Sequence, residues 1–292
     1  MTSTETPLQL RSRAEALASR LPPLLVAAQH LAQSVELGEH GRRQSGQGEA
    51  FWQYRRAQPG DPAHRIDWRR SARSDRHYVQ EKEWQAAHSV QLWVDPSPSL
   101  AFASDAALPE KREQAQLIAL ALAALLLRGG ERVGLLGGAE VPKRGQMTLS
   151  RLADQLMFPS RDVPLSAHFA HRRARQVVFS DFLGSLETTR AFVETAQGRG
   201  QQGVLFQVLD PMEELFPFQG RVLFQDVAGG VRHDTREAAD LRNRYLDRLA
   251  SRKDELRDLA NRAGWRFYSY HTQDPASAAL LWLWNAIGEP SR

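Results

Sequence analysis

Cysteine is absent from the chain. That removes disulfides, thiolate zinc sites and a cysteine nucleophile from consideration, and it is in keeping with a reducing compartment. Long apolar runs are missing as well. The most apolar stretch, LIALALAALLL from Leu117 to Leu127, has 11 residues where a bilayer span needs roughly 20, so it reads as a buried core helix. The N-terminal MTSTETPLQLRSRAEALASRL has no apolar signal-peptide core. The expectation is a cytoplasmic protein with no membrane span. Catalytic signatures are lacking too: there is no Gly-x-Ser-x-Gly elbow and no His-Glu-x-x-His, and GGERVGLLGG lacks the Gly-Lys-Ser/Thr ending of a phosphate loop. His168 and His171 in HFAHRR stand among arginines with no third strong ligand nearby, which reads as surface loop rather than zinc site.

What is present is an ordinary globular balance. The 292 residues are 42% apolar and 25% charged, with a net charge of +4, enough for a sizeable core and too mild a surplus to argue for nucleic acid by itself. Residues 1–85 read as an N-terminal region: a helical period over Leu8–Val35 interrupted near Pro22–Pro23, then an Arg- and Gly-rich segment with strand-like AFWQYRR and HYVQEKEW. Residues 86–292 change rhythm. Apolar strands alternate with helices: SVQLWV, the helix Glu110–Arg128, RVGLLGG, LSRLADQLM, RQVVFSDF, the helix Leu186–Gln197, GVLFQVLD, a long helix over Thr235–Ala263, WRFYSYHT and PASAALLWLWNAIG. Uninterrupted apolar strands between helices predict an α/β domain, a mostly parallel sheet covered on both faces. GRVLFQDVAGG is expected to add an edge strand.

Two of these strands end in aspartate. SVQLWV runs into Asp95-Pro96-Ser97-Pro98-Ser99, and RQVVFS runs into Asp181. Ligands of open parallel sheets bind where strands deliver their carboxyl ends to loops. If the two strands are neighbours, Asp95, Ser97, Ser99 and Asp181 meet on one rim, an oxygen-only set suited to a hard cation such as Mg²⁺ or Mn²⁺. The same spacing is also that of a capping turn, in which Ser and Asp satisfy backbone N–H groups.

Asp-x-Ser-x-Ser at the end of a first strand, in this β/α order, resembles the metal-ion-dependent adhesion site of von Willebrand factor A-type domains. The segment before it, GQGEAFWQYRRAQPGDPAHRIDWRRSAR (Gly46–Arg73), resembles the signature of the bacterial domain of unknown function 58 family, through Gly46, Gly48, Phe51, Pro59, Gly60, Asp61, Arg65, Ile66, Asp67, Trp68, Ser71, Ala72 and Arg73. VLDPMEELFPFQGRVLFQD, from Val208 to Asp226, is similar to that family as well. The resemblance implies a von Willebrand A-like fold and a metal role for Asp95, Ser97, Ser99 and Asp181. Such sites usually add a threonine from the loop after the second helix. Here that loop reads MFPSRDVPLSAHF, and Ser160 or Ser166 is the candidate substitute.

The resemblance further implies a non-enzymatic adaptor working with a MoxR-type AAA+ ATPase in maturing or remodelling a client protein. Two other readings are open at this point. A metal-dependent hydrolase would use the same carboxylates, with Asp181 as base. A nucleic-acid binder would use Arg55, Arg56, Arg65, Arg69, Arg70 and Arg73 on phosphates, with Trp68 stacking on a base. Against the latter, Arg65, Asp67, Trp68 and Arg73 also make sense as a structural knot that doubles as a partner surface. In it, Asp67 pairs with Arg65, Arg69 or Arg73 and Trp68 anchors the N-terminal region.

Overall fold

The computed structural model describes residues 45–58, 66–72, 77–83, 89–137, 140–157, 165, 174–218, 220, 222–225, 232–235 and 238–288. The helix expected over Leu8–Val35 and the candidates Arg65, Arg73, Ser160 and Ser166 lie outside the described residues. The chain divides into two compact units, a smaller one over Glu39–Ala87 and a larger one containing His88–Arg292.

In the smaller unit, strand β1 (Ser45–Arg56) pairs antiparallel with β2 (Tyr78–Glu83). Aromatic and β-branched residues favour the pleated conformation in both. Between them runs one turn of helix, α1 (Trp68–Ser71), started by Asp67, whose side chain accepts the Arg70 amide. Ser71 is buried and its hydroxyl accepts the Tyr78 amide at 2.9 Å, which ties α1 to the start of β2.

The larger unit is built on a five-stranded sheet of β3 (Ser89–Val94), β4 (Arg132–Leu135), β5 (Ala174–Ser180), β6 (Gly203–Leu209) and β9 (Arg266–His271). The order is β4-β3-β5-β6-β9 and every pairing is parallel. Side chains alternate between the two faces as the pleat requires. Val90, Leu92, Val177, Phe179, Val204, Phe206, Val208 and Tyr270 enter one core, while Val178 and Leu205 enter the other. The first core is completed by α2 (Lys111–Arg128), α3 (Gln146–Met157) and α7 (Ala276–Gly288), the second by α4 (Glu187–Gly198) and the 25-residue α6 (Ala238–Arg262). Helix α2 is apolar all round and buried along nearly its whole length, which places it in the centre of its layer. The expected α/β architecture, with helices on both faces of a mostly parallel sheet, is therefore the observed one.

The outer edge of β4 is closed by one antiparallel bridge, in which Val133 and Lys143 exchange hydrogen bonds of 2.9 and 3.0 Å. The expected edge strand in GRVLFQDVAGG is corrected: Val222–Gln225 forms β7, which pairs antiparallel with β8 (Arg232–Thr235) in a separate two-stranded ribbon. The edge of β6 is already taken by β9, so β7 finds its partner locally. No helix among the described residues is long and apolar enough to cross a membrane.

Close packing at the start of β6 yields a test. A Cβ on Gly203 would lie 2.5 Å from the Gln176 carbonyl oxygen and 2.8 Å from the Trp265 ring, whereas one on Gly198 meets nothing within 4 Å. Gly203→Ala is expected to lower stability by about 1–3 kcal/mol in urea denaturation, and Gly198→Ala to leave it unchanged or raise it. Equal midpoints for the two variants would contradict this packing.

Candidate functional site at the carboxyl ends of the strands

Within the sheet, the strands in chain order run 2-1-3-4-5. The direction of winding reverses between β3 and β5, and such a switch point opens a crevice at the strands' carboxyl ends. The residue after β3 is Asp95, the residue after β5 is Asp181, and the residue after β6 is Asp210. Three carboxylates thus cap three adjacent strands.

The Asp95 loop is held by its own groups. The Asp95 amide continues the ladder to the Phe179 carbonyl at 2.9 Å. One carboxylate oxygen accepts the Ser97 amide at 2.8 Å and the other accepts the Ser180 hydroxyl at 2.6 Å. Pro98 starts a single 3₁₀ turn ending at Leu100, which has no exposed surface and pins the loop to the core. That turn brings the Ser97 and Ser99 hydroxyls to 2.8 Å from one another. Arg112, on α2, donates to the carbonyls of Pro96 and Ser97 at 3.2 and 2.8 Å.

Asp181 is engaged differently. Its backbone carbonyl accepts from the buried Gln207 amide at 2.9 Å, and one carboxylate oxygen accepts the Leu183 amide at 3.1 Å. The other lies 3.0 Å from Nζ of Lys111, a side chain with no exposed surface. Lys111 also reaches Glu213 at 2.6 Å. Glu213 belongs to α5 (Pro211–Leu215), where it forms a capping box with Asp210: its second oxygen accepts the Asp210 amide while Asp210 accepts the Met212 amide. Asp210 further accepts the Ser104 amide at 2.9 Å, joining the loop after β6 to the loop after β3. Phe182, next to Asp181, adopts the left-handed conformation at φ 50°, unusual for a non-glycine residue and costing of order 1–3 kcal/mol. Arg252 of α6 grips that turn through the carbonyls of Phe182 and Gly184 at 3.3 and 2.6 Å. Burial pushes the Glu213 carboxyl above its ordinary value despite the pull of Lys111. Burial, with Glu213, Glu214 and Asp181 nearby, raises the Tyr245 hydroxyl as well.

Of the four expected rim residues, Asp95, Ser97 and Ser99 come together, with Ser180 as an additional hydroxyl on Asp95. The Asp181 carboxylate is ion-paired with Lys111. The fit to a hard divalent ion follows that division. Adjacent oxygens of a magnesium octahedron with bonds of 2.0–2.1 Å stand about 2.9 Å apart, and the Ser97–Ser99 hydroxyl pair already has that separation. Asp95 adds the one charge of this set. Among the described residues no group of three or more His, Cys, Asp or Glu gathers as metal ligands. The oxygen set nearest to what a hard divalent ion needs is one carboxylate and two hydroxyls, Asp95, Ser97 and Ser99.

In the smaller unit, Asp67 and Trp68 take the following places. Asp67 accepts the Arg70 amide and the Tyr54 hydroxyl, both at 3.0 Å, and the Arg69 charge adds to their pull on its carboxyl. These two bonds, the amide first, hold its carboxyl below the ordinary range. A helix-capping position aims the side chain at backbone N–H groups. Trp68 is 57% exposed and meets His77 edge-on at 5.5 Å. Arg70 lies over the Tyr54 ring at 4.3 Å, a cation–π contact.

Lys111, Arg112 and Glu213 were not read as site residues from the sequence. One signal was available for Lys111. A lysine at the first position of a long helix opposes the macrodipole, which favours anions there, so it needs a compensating carboxylate.

A doubly wound α/β unit with a polar, carboxylate-capped switch point defines the class of this larger domain. Residues 53–255 match the family described as Protein of unknown function DUF58. Uncharacterized protein Rv1480 of Mycobacterium tuberculosis and Uncharacterized protein Mb1516 of Mycobacterium bovis are each 30% identical over 234 residues, covering 74% of this chain and 72% of theirs. The chain belongs to the DUF58 family. Among solved structures, it is similar to an aerotolerance-related membrane protein from Bacteroides fragilis carrying multiple mutations to serine (16% identity, 69% of this chain, 98% of that one, TM-score 0.45). It is also similar to BatB from Bacteroides thetaiotaomicron (14% identity, 69% of this chain, 97% of that one, TM-score 0.36).

The buried carboxylate provides a pH test. The Glu213 carboxyl gives up its proton at a higher pH in the folded chain than in the unfolded one, where its ordinary value is 4.5. The stability from this group is therefore full below that pH and is lost as pH rises through the higher folded value. Glu213→Gln is expected to remove this downward slope, so urea-measured stability relative to wild type should improve from pH 4 towards neutrality. A constant difference across that range would show that the carboxyl is not shifted upward.

Proposed function

We propose that the strand-end rim of the larger unit is a protein-docking surface and that the chain is a non-enzymatic adaptor. The carrying observation is the Ser97–Ser99 hydroxyl pair at 2.8 Å, backed by Asp95 and presented on the β3 loop. The hydroxyls are each other's partner, and both Asp95 oxygens are committed to the Ser97 amide and the Ser180 hydroxyl. Asp95 thereby serves as an orienting group rather than as a base. Apolar side chains accompany this polar centre: Leu183, in the turn after β5, is 36% exposed, and Leu215, at the end of α5, is 59% exposed. A polar centre beside exposed leucines is the composition of a recognition surface.

Ser97, Ser99 and Asp95 are the residues that would hold Mg²⁺ or Mn²⁺. A metal bound there supplies positive charge for an Asp or Glu of the partner. Charge-assisted contact at such a loop gives specificity with reversibility, which suits transient assembly. The resemblance to von Willebrand A-type adhesion sites and to the DUF58 family supports a MoxR-type AAA+ ATPase as partner, with the chain linking it to a client.

The test is binding of a purified MoxR-type ATPase to the immobilised full chain, with Mg²⁺ and with chelator. Asp95→Ala and Ser97→Ala are expected to weaken binding about tenfold or more. Affinities equal to wild type in both variants would move docking away from this rim.

A further inference from the structure

Lys111 is out of place on two counts. It has no exposed surface, so its ammonium has lost its water. It also opens the 18-residue helix α2, where the backbone already presents positive potential. Asp181 at 3.0 Å and Glu213 at 2.6 Å compensate it, and Nζ lies 5.7 Å from the centre of the Phe102 ring. The following residue, Arg112, bonds the Pro96 and Ser97 carbonyls. Two consecutive cationic side chains thus serve the two halves of the rim, Arg112 the backbone of the Asp95 loop and Lys111 the carboxylate of Asp181.

We infer that Lys111 is a tethered cation that occupies the Asp181 half of the rim, withholds that carboxylate from a divalent ion, and so sets the metal affinity of the Asp95, Ser97 and Ser99 loop. This deepens the docking reading and rests on its metal-bearing part. Of the four carboxylates of this cluster, Asp95, Asp181, Asp210 and Glu213, the cations Lys111 and Arg112 offset two formal charges, and Lys111 is spent on Asp181 and Glu213. A dication approaching the serines therefore meets an Asp181 carboxylate that already faces a cation. To recruit Asp181 it would have to displace an ammonium that has no water to move into. Wild type is thereby a weak metal binder in which Asp181 contributes nothing to affinity. Its positive charge is built in and does not depend on metal supply.

The experiment is calorimetric titration of Mn²⁺ into the metal-free full chain, with thermal melts in parallel, for wild type, Asp95→Ala, Asp181→Asn, Lys111→Met and Lys111→Met/Asp181→Asn. Asp181→Asn is expected to leave Mn²⁺ affinity within about twofold of wild type, and Lys111→Met to tighten it about tenfold or more. Mn²⁺ should then raise the melting temperature of Lys111→Met more than that of wild type, and adding Asp181→Asn should cancel the gain. The proposal is overturned by a tenfold loss in Asp181→Asn, by no gain in Lys111→Met, or by a gain that survives Asp181→Asn. Lys111→Met leaves two buried carboxylates unpaired, so Lys111→Met/Glu213→Gln, with Asp181 alone uncompensated, is the second background if the single variant does not fold. The two readings fail separately. Partner binding indifferent to Asp95 removes docking at the rim without touching the Mn²⁺ result. Mn²⁺ binding seen only without Lys111 supports the tethered cation and removes metal from wild-type docking.

Discussion

An ammonium group buried without water survives only where anions meet it, and in this protein that requirement organises the rim. Lys111 needs Asp181 and Glu213 at the same time. Satisfying both fixes the start of α2 against the ends of β5 and β6. Once α2 starts there, Arg112 falls on the loop after β3, and Phe102 accepts the Lys111 amide at 3.0 Å. The capping box of α5 holds Glu213 in place, and Asp210 of the same box reaches back to Ser104. The loops after three strands are thus joined through one charge cluster rather than standing as independent turns. Breaking such a buried cluster by removing a single member costs more than a surface pair would, because the remaining charges stay buried.

The cluster can be so demanding because the layer beneath it is simple. From Ala115 to Leu126, α2 is almost wholly apolar and buried, and it lies against α3, α7 and the sheet. Its one polar side chain there, Gln116, donates to the Leu156 carbonyl at 2.8 Å. Aliphatic packing alone tolerates neighbouring registers, whereas the Lys111 ion pairs and the two carbonyls met by one guanidinium nitrogen of Arg112 help define one. Polar residues inside the sheet have a similar role. Gln207, without exposed surface, joins the Asp181 carbonyl to the Ser269 hydroxyl and so relates β5, β6 and β9 at the level of the rim.

The α/β architecture was legible because each core strand is a short apolar run and each layer helix has its own period. Asp95 and Asp181 stood out because each closes such a run, and their strands are indeed neighbours. The fate of the Asp181 carboxylate was not legible. Its partner Lys111 is 70 residues away, and Glu213 is 102 residues from Lys111, so no local window contains the triad. The edge strand was misplaced for a related reason. VLFQ has strand propensity, but which edge it joins depends on β9, which appears later in the chain.

Helix α6 is a rod about 37 Å long at 1.5 Å per residue. Somewhat past its middle, two adjacent residues hold two different turns: Arg252 the carbonyls of Phe182 and Gly184, and Lys253 the Glu214 carboxylate at 2.5 Å. Those turns carry the exposed Leu183 and Leu215. A force applied to the far end of the rod is therefore delivered, with leverage, to both leucine-bearing turns together.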